Sequence, residues 1–102
     1  MIVMKLVVVN KLSDEKIKAL QEAVPGSIVE AYKSPKEALP HVADADAIAL
    51  WGFQNVEPLL QAAPNVRWVH SLSDGVEKLL TPSMMSRPII LTNSHGVHDR
   101  EV

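Results

Sequence analysis

The sequence contains no cysteine, which removes disulfide scaffolds and thiolate metal sites at once. Aromatic residues are scarce. Two tryptophans, one tyrosine and one phenylalanine make up 4% of the chain, too few for a platform that stacks single-stranded bases. No charge of one sign dominates: ten Lys and Arg against twelve Asp and Glu give a formal net charge of −2, with both signs scattered. Such a balance does not suggest a polyanion-binding surface, and no nucleic-acid partner is expected. Long hydrophobic runs are missing too. The apolar run Leu6 to Val9 follows Lys5 directly and is far too short to span a bilayer, so neither a signal peptide nor a membrane anchor is expected, and the cytoplasm is the expected address.

What is present fits one domain. A chain of 102 residues, 47% of them apolar, can bury roughly 60–70% of the surface its unfolded form would expose, but has no room for two cores. Val3 to Val9, broken only by Lys5, has the β-branched, nearly continuous apolar pattern of a strand covered on both faces. Ser13 is a good N-cap with Asp14 and Glu15 in the first turn, and Leu12 and Ile17 stand at the staple positions. Ile17, Leu20 and Val24 recur at helical spacing until Pro25-Gly26 stops the run. Ser27 to Tyr32 reads as a less apolar strand, suited to a sheet edge.

Ser34-Pro35-Lys36-Glu37 joins a capping box to proline at the first helical position. Pro40 then predicts two short turns or a kink before Ala43, because an interior proline costs a helix about 3 kcal/mol. Asp44 and Asp46 read as a polar linker. Ala47 to Trp51 is the third strand, Asn55 caps a helix over Val56 to Ala63, and Arg67 to Leu72 is the fourth strand. Ser73-Asp74-Gly75 is a turn, Val76 to Leu80 a short helix, and Ile89 to Thr92 the fifth strand. Strands alternating with helical segments through short turns predict an α/β fold with a parallel sheet and helices on both faces.

In such a sheet a ligand sits outside the carboxyl ends of the strands, so the residues just after each strand carry the information. A phosphoacceptor receiver needs acids after the first and third strands, where this chain has Asn10 and Trp51. A flavin-phosphate loop needs glycine and hydroxyls where Asn10-Lys11-Leu12-Ser13-Asp14 stands. No G-x-G-x-x-G or P-loop run occurs.

The positive feature is Ser71-Leu72-Ser73-Asp74-Gly75-Val76-Glu77. Free amides of Ser73 to Val76 at a helix start would suit a small carboxylate; equally, Ser73 or Asp74 could merely cap the helix while Gly75 relieves the turn. Trp51-Gly52-Phe53 could wall a small pocket or pack on the third helix. His95 and His98 have i, i+3 spacing without a convincing third ligand, so no metal site is expected. His41 and His70 have no identifiable partner, and no nucleophile, base and acid can be assembled.

The string Ala63-Pro-Asn-Val-Arg-Trp-Val-His-Ser-Leu-Ser-Asp-Gly-Val-Glu-Lys-Leu, followed by Ile90-Leu-Thr-Asn-Ser-His-Gly-Val-His, resembles the D-isomer-specific 2-hydroxyacid dehydrogenases of the glyoxylate/hydroxypyruvate reductase or phosphoglycerate dehydrogenase kind. The likeness is to their N-terminal substrate-binding domain and is most specific from Pro64 to Gly96. It implies a flavodoxin-like three-layer sandwich of order 2-1-3-4-5 over residues 1–92, with residues 93–102 opening the hinge to a second, NAD- or NADP-binding domain. The last ten residues, without an apolar closing element, match a chain cut at that hinge.

By the same resemblance, the turn Ser73, Asp74 and Gly75 holds the carboxylate of a small 2-oxo or 2-hydroxy acid. Trp51, Gly52 and Phe53 shape the pocket around its side chain, and Asn93 fixes the crossover at the cleft. The family's catalytic arginine, glutamate and histidine and its glycine-rich loop fall outside this chain. It is therefore expected to hold no catalytic residue and no cofactor, and to be inactive alone. Two other readings stay open. One is a non-catalytic module that binds a small carboxylate; the other is an isolated domain whose uncovered interdomain face makes it self-associate as a homodimer.

Overall fold

The β-branched residues after Lys5 form β1 (Lys5–Val9), in which Val7, Val8 and Val9 are all buried, as a strand covered on both faces must be. The computed structural model describes residues 4–23, 25–73 and 75–93. Beside β1 lie β2 (Ile28–Tyr32), β3 (Ala47–Leu50), β4 (Trp68–Ser71) and β5 (Ile90–Asn93), all parallel, in the order β2-β1-β3-β4-β5. This is the expected α/β sandwich, with the less apolar β2 at an edge.

The helices are α1 (Asp14–Ala23), α2 (Pro35–Ala38), α3 (Glu57–Ala62) and α4 (Pro82–Ser86). Ser13 caps α1, its Oγ accepting from the Lys16 N–H at 3.3 Å. Ser34 caps α2 by accepting from the Glu37 N–H, also at 3.3 Å. Pro40 ends α2 as expected, and a separate 3-10 turn, Leu39–His41, follows. Asn55 Oδ1 accepts from the Glu57 N–H at 3.2 Å at the start of α3.

Two expectations are corrected. The helix over Val76 to Leu80 is a single 3-10 turn, Glu77–Leu79, that no side chain caps. The sequence reading also passed over α4, although Thr81-Pro82 repeats the hydroxyl-then-proline start seen at Ser34-Pro35.

Alternation along the strands divides the core unequally. Val7, Val9, Ile48, Leu50 and Val69 face α2, α3 and α4, together with Leu59, Leu60, Leu79 and Met84, in one large cluster. The cluster on the other face holds just Val8, Val29 and Ala49 as buried residues, with Leu12 and Ile17 from the staple of α1 packed against them. α1 has no buried residue. Beside it an apolar trough of about 270 Å³ runs over Leu6, Val8, Ala49, Trp68, His70 and Leu72.

Lys5 and the two aspartates form a latch rather than a linker. Asp46 Oδ2 accepts from the Lys5 N–H at 2.8 Å, while the Asp46 N–H donates to the Lys5 carbonyl at 2.9 Å. Lys5 Nζ reaches Asp44 Oδ1 at 2.6 Å and the His41 carbonyl at 2.9 Å, which closes the amino edge of the sheet. The hydrogen bond from Lys5 is the main influence holding the Asp44 carboxyl below the ordinary range. His41 has a partner after all: its ring stacks on Tyr32 at 4.7 Å.

α4 is tied to α3 at both ends. Glu57 accepts from the Ser83 hydroxyl at 2.6 Å and the Ser83 N–H at 3.1 Å. Arg87 donates to the carbonyls of Leu60 and Ala63, both at 2.8 Å, and of Val66 at 3.2 Å, gripping the carboxyl end of α3 and the turn that follows it.

The Ser83 hydroxyl is the largest cause that draws the Glu57 carboxyl down from 4.5 to about 2. A folded-state value below the ordinary one gives stability that is complete above pH 4.5 and is lost as the pH falls toward 2. Glu57→Gln is expected to be less stable than wild type at neutral pH and to approach it in acid. Urea midpoints measured across that range check this, and equal pH dependence of the two proteins would contradict it.

Candidate functional site

Parallel pairing brings the carboxyl ends of three strands level. Leu50 of β3 pairs with Ser71 of β4, which pairs with Asn93 of β5. The turns that follow β3 and β4 therefore leave the sheet side by side, where a doubly wound sheet places its ligand.

Ser71 ties down the second turn. It is fully buried, and its Oγ accepts from the Ser73 N–H at 3.2 Å while donating toward the carbonyls of Ser73 at 2.9 Å and Gly75 at 3.1 Å. Ser73 then reaches across: its Oγ accepts from the Gly52 N–H at 3.0 Å and so fastens the turn after β4 to the turn after β3. A Cβ on Gly52 would collide with the Gly75 carbonyl oxygen and would stand 2.8 Å from Ser73 Oγ. Glycine is required at Gly52 by this close approach. At Gly75 an added Cβ would meet only the flexible Glu77 carboxylate, at 3.1 Å.

The anion cradle also differs from the expected one. The Ser73 amide is not free, since Ser71 Oγ holds it, and a three-residue 3-10 turn supplies no helix start of any length. Among the described residues the N–H groups of Phe53 and Gly75 have no protein acceptor, and neither do those of Val76, Glu77 and Lys78 that follow. Phe53 and Gly75 both line a cleft of about 230 Å³, together with Gly52, Ser73, Glu77 and Lys78.

Of the residues singled out in the sequence, Gly52, Phe53, Ser73 and Gly75 thus meet in one place. Trp51 stands behind them, its ring stacked on Phe53 at 6.3 Å and 19°, with its backbone N–H donating to Gln54 Oε1 at 2.9 Å. Phe53 is 68% exposed, so it walls the cleft instead of packing on α3. Asn93 ends β5 level with Ser71 but does not line the cleft. Asp74 lies outside the described residues, as do His95, His98 and the hinge beyond Asn93. Glu77 and Lys78 were missed as lining residues, although their place directly after the glycine turn could have marked them.

His70 lies on the opposite face of the sheet, beside the trough. Its Nδ1 is 2.7 Å from Thr92 Oγ1, which also accepts from Trp68 Nε1 at 2.8 Å, and burial lowers its pKa. Among the described residues no three His, Cys, Asp or Glu side chains are grouped to hold a metal ion. No helix among them is long and apolar enough to cross a membrane.

Two substitutions test this geometry. Gly52→Ala is expected to destabilise the fold by about 1–3 kcal/mol, because the obstacle is backbone and cannot rotate away. Ser71→Ala is expected to cost about 1–3 kcal/mol by leaving the Ser73 N–H and the turn carbonyls without their buried partner. Denaturant midpoints with unchanged m-values would measure both, and a wild-type midpoint for either would refute the corresponding contact.

Comparison with known proteins agrees with this architecture. The crystal structure of NAD+-bound 3-phosphoglycerate dehydrogenase from Entamoeba histolytica superposes with a TM-score of 0.74 at 19% identity, covering 91% of this chain and 33% of that one. At that identity the likeness is one of fold, and the chain spans a third of the other protein's length. A search of curated proteins gives no match. The family model for the D-isomer specific 2-hydroxyacid dehydrogenase catalytic domain matches residues 6–102, a span that includes both turns and the cleft between them. The chain belongs to the D-isomer specific 2-hydroxyacid dehydrogenases, as a catalytic domain of that family.

Proposed function

We propose that this chain is the substrate-binding part of an NAD(P)-dependent D-2-hydroxyacid dehydrogenase and that the cleft after β3 and β4 receives the carboxylate of a small 2-oxo or 2-hydroxy acid. The observation that carries this reading is the pair of unclaimed N–H groups, Phe53 and Gly75, on two turns locked together by Ser73 and Ser71. Preorganised amides hold an anion without the cost of first freeing them from other partners. Phe53, backed by the stacked ring of Trp51, gives the cleft an apolar side suited to a short carbon chain. Asn93, at the end of β5, begins the crossover toward the second domain, so that residues 1–92 form the substrate domain.

A dinucleotide does not fit here. The sequence has no G-x-G-x-x-G run, and a cleft of about 230 Å³ is small beside the 300 to 1,000 Å³ usual for larger ligands. NAD or NADP belongs to a second domain on this reading, and hydride transfer needs both domains. Without that partner, the uncovered interdomain face is the route by which two copies would pair.

Backbone amide spectra of the chain, titrated with glyoxylate, test the site. Shifts concentrated at Gly52, Phe53, Ser73 and Gly75, with none at Lys5 or Asp46 on the opposite edge, are the expected outcome. No response up to about 50 mM, beyond the weakest affinity worth calling a site, would sink the assignment. In a parallel assay the chain mixed with NADH and glyoxylate is expected to leave the nicotinamide absorbance unchanged.

A further inference from the structure

The cleft holds two charged side chains, and one of them lies against the turn assigned to the substrate. Glu77 Oε2 is 3.1 Å from the point where a Cβ on Gly75 would stand, so its carboxylate rests on the bare side of that glycine. Its neighbour Lys78 lines the same cleft. Neither makes an ion pair within 4.0 Å among the described residues, where both ion pairs belong to Lys5. The cleft thus carries a negative charge at the amide proposed to receive a negative charge. Asp74, one residue before Gly75, adds a second acid to the same stretch of sequence.

Resting on the carboxylate-binding reading above, we infer that Glu77 is a specificity-determining residue that restricts the cleft to acids with a single negative charge. One carboxylate gains the amides of Phe53 and Gly75 and meets the repulsion of Glu77 once. A ligand with a second carboxylate or a phosphate in so small a cleft must place that group near Glu77 as well, and meets its repulsion twice. Like charges a few ångströms apart repel even at a surface, though salt weakens the effect. Glu77 is exposed, so the discrimination is modest and depends on ionic strength. Lys78, lining the same cleft, opposes it and sets how far it goes.

D-lactate and tartronate give a clean test, since they differ only in a methyl group replaced by a carboxylate. Amide shifts at Gly52 and Gly75 in low salt report the affinity for each. Wild type is expected to bind D-lactate more tightly. Glu77→Gln is expected to shrink the ratio by about threefold or more, and about 0.5 M salt to shrink it in wild type. Lys78→Gln is expected to widen it.

An unchanged ratio in Glu77→Gln, with D-lactate still shifting both amides, would overturn the inference while leaving the proposed site intact. A wild-type preference for tartronate would do the same. If neither ligand moves either amide in wild type or variant, the site assignment itself fails and the inference with it. Because Glu77 is exposed and its substitute keeps its shape, the variant is expected to retain the wild-type spectrum elsewhere, which the same spectra verify.

Discussion

Every strand in this sheet runs the same way, and most of the structure follows from that constraint. Parallel neighbours cannot be joined by a tight turn, so each connection must cross a face of the sheet. Starting in the middle at β1, the chain lays α1 on one face on the way to β2, then returns over the other face for all its remaining crossings. The large cluster is where those later crossings pack. The thinner face, with one helix and an open apolar trough, is the other side of the same arithmetic.

The constraint also gathers all carboxyl ends at one edge. There the turns after β3 and β4 have to approach each other closely, and the sequence provides for it with small residues. Gly52 lets the backbone of one turn touch the Gly75 carbonyl of the other, and two serine hydroxyls fasten them. The hydroxyls use up the amide of Ser73 that a simpler reading would assign to a ligand. The cleft draws its lining from the ends of two different strands, so it forms only when the β3 and β4 register is correct.

The fold was legible in the sequence because its signals are local and repeated. The valines of β1, the Ser13 and Ser34 caps and the interruption at Pro40 each constrain a few residues, and all agree with one topology. The stretch from Leu72 to Ile89 was read less well. Val76 to Leu80 is too short for helical periodicity to separate an α-helix from a 3-10 turn, and α4 has only five residues with Met84 alone buried. At the site, motif strings located the turns, but which glycine was essential depended on a contact between residues 23 positions apart in the chain, Gly52 and Gly75. The latch of Asp44 and Asp46 was hidden for the same reason, since Lys5 lies about forty residues away. Long-range partners leave no local pattern.

The two fastenings of α4 differ in kind. At its amino end the tie is a carboxylate, Glu57, receiving hydrogen bonds from Ser83; at its carboxyl end it is a guanidinium, Arg87, giving them to backbone carbonyls. Carbonyls do not titrate, and a guanidinium stays charged at any ordinary pH. Acid therefore weakens one fastening of the segment and leaves the other unchanged, so the two ends of α4 answer differently to the same change of pH.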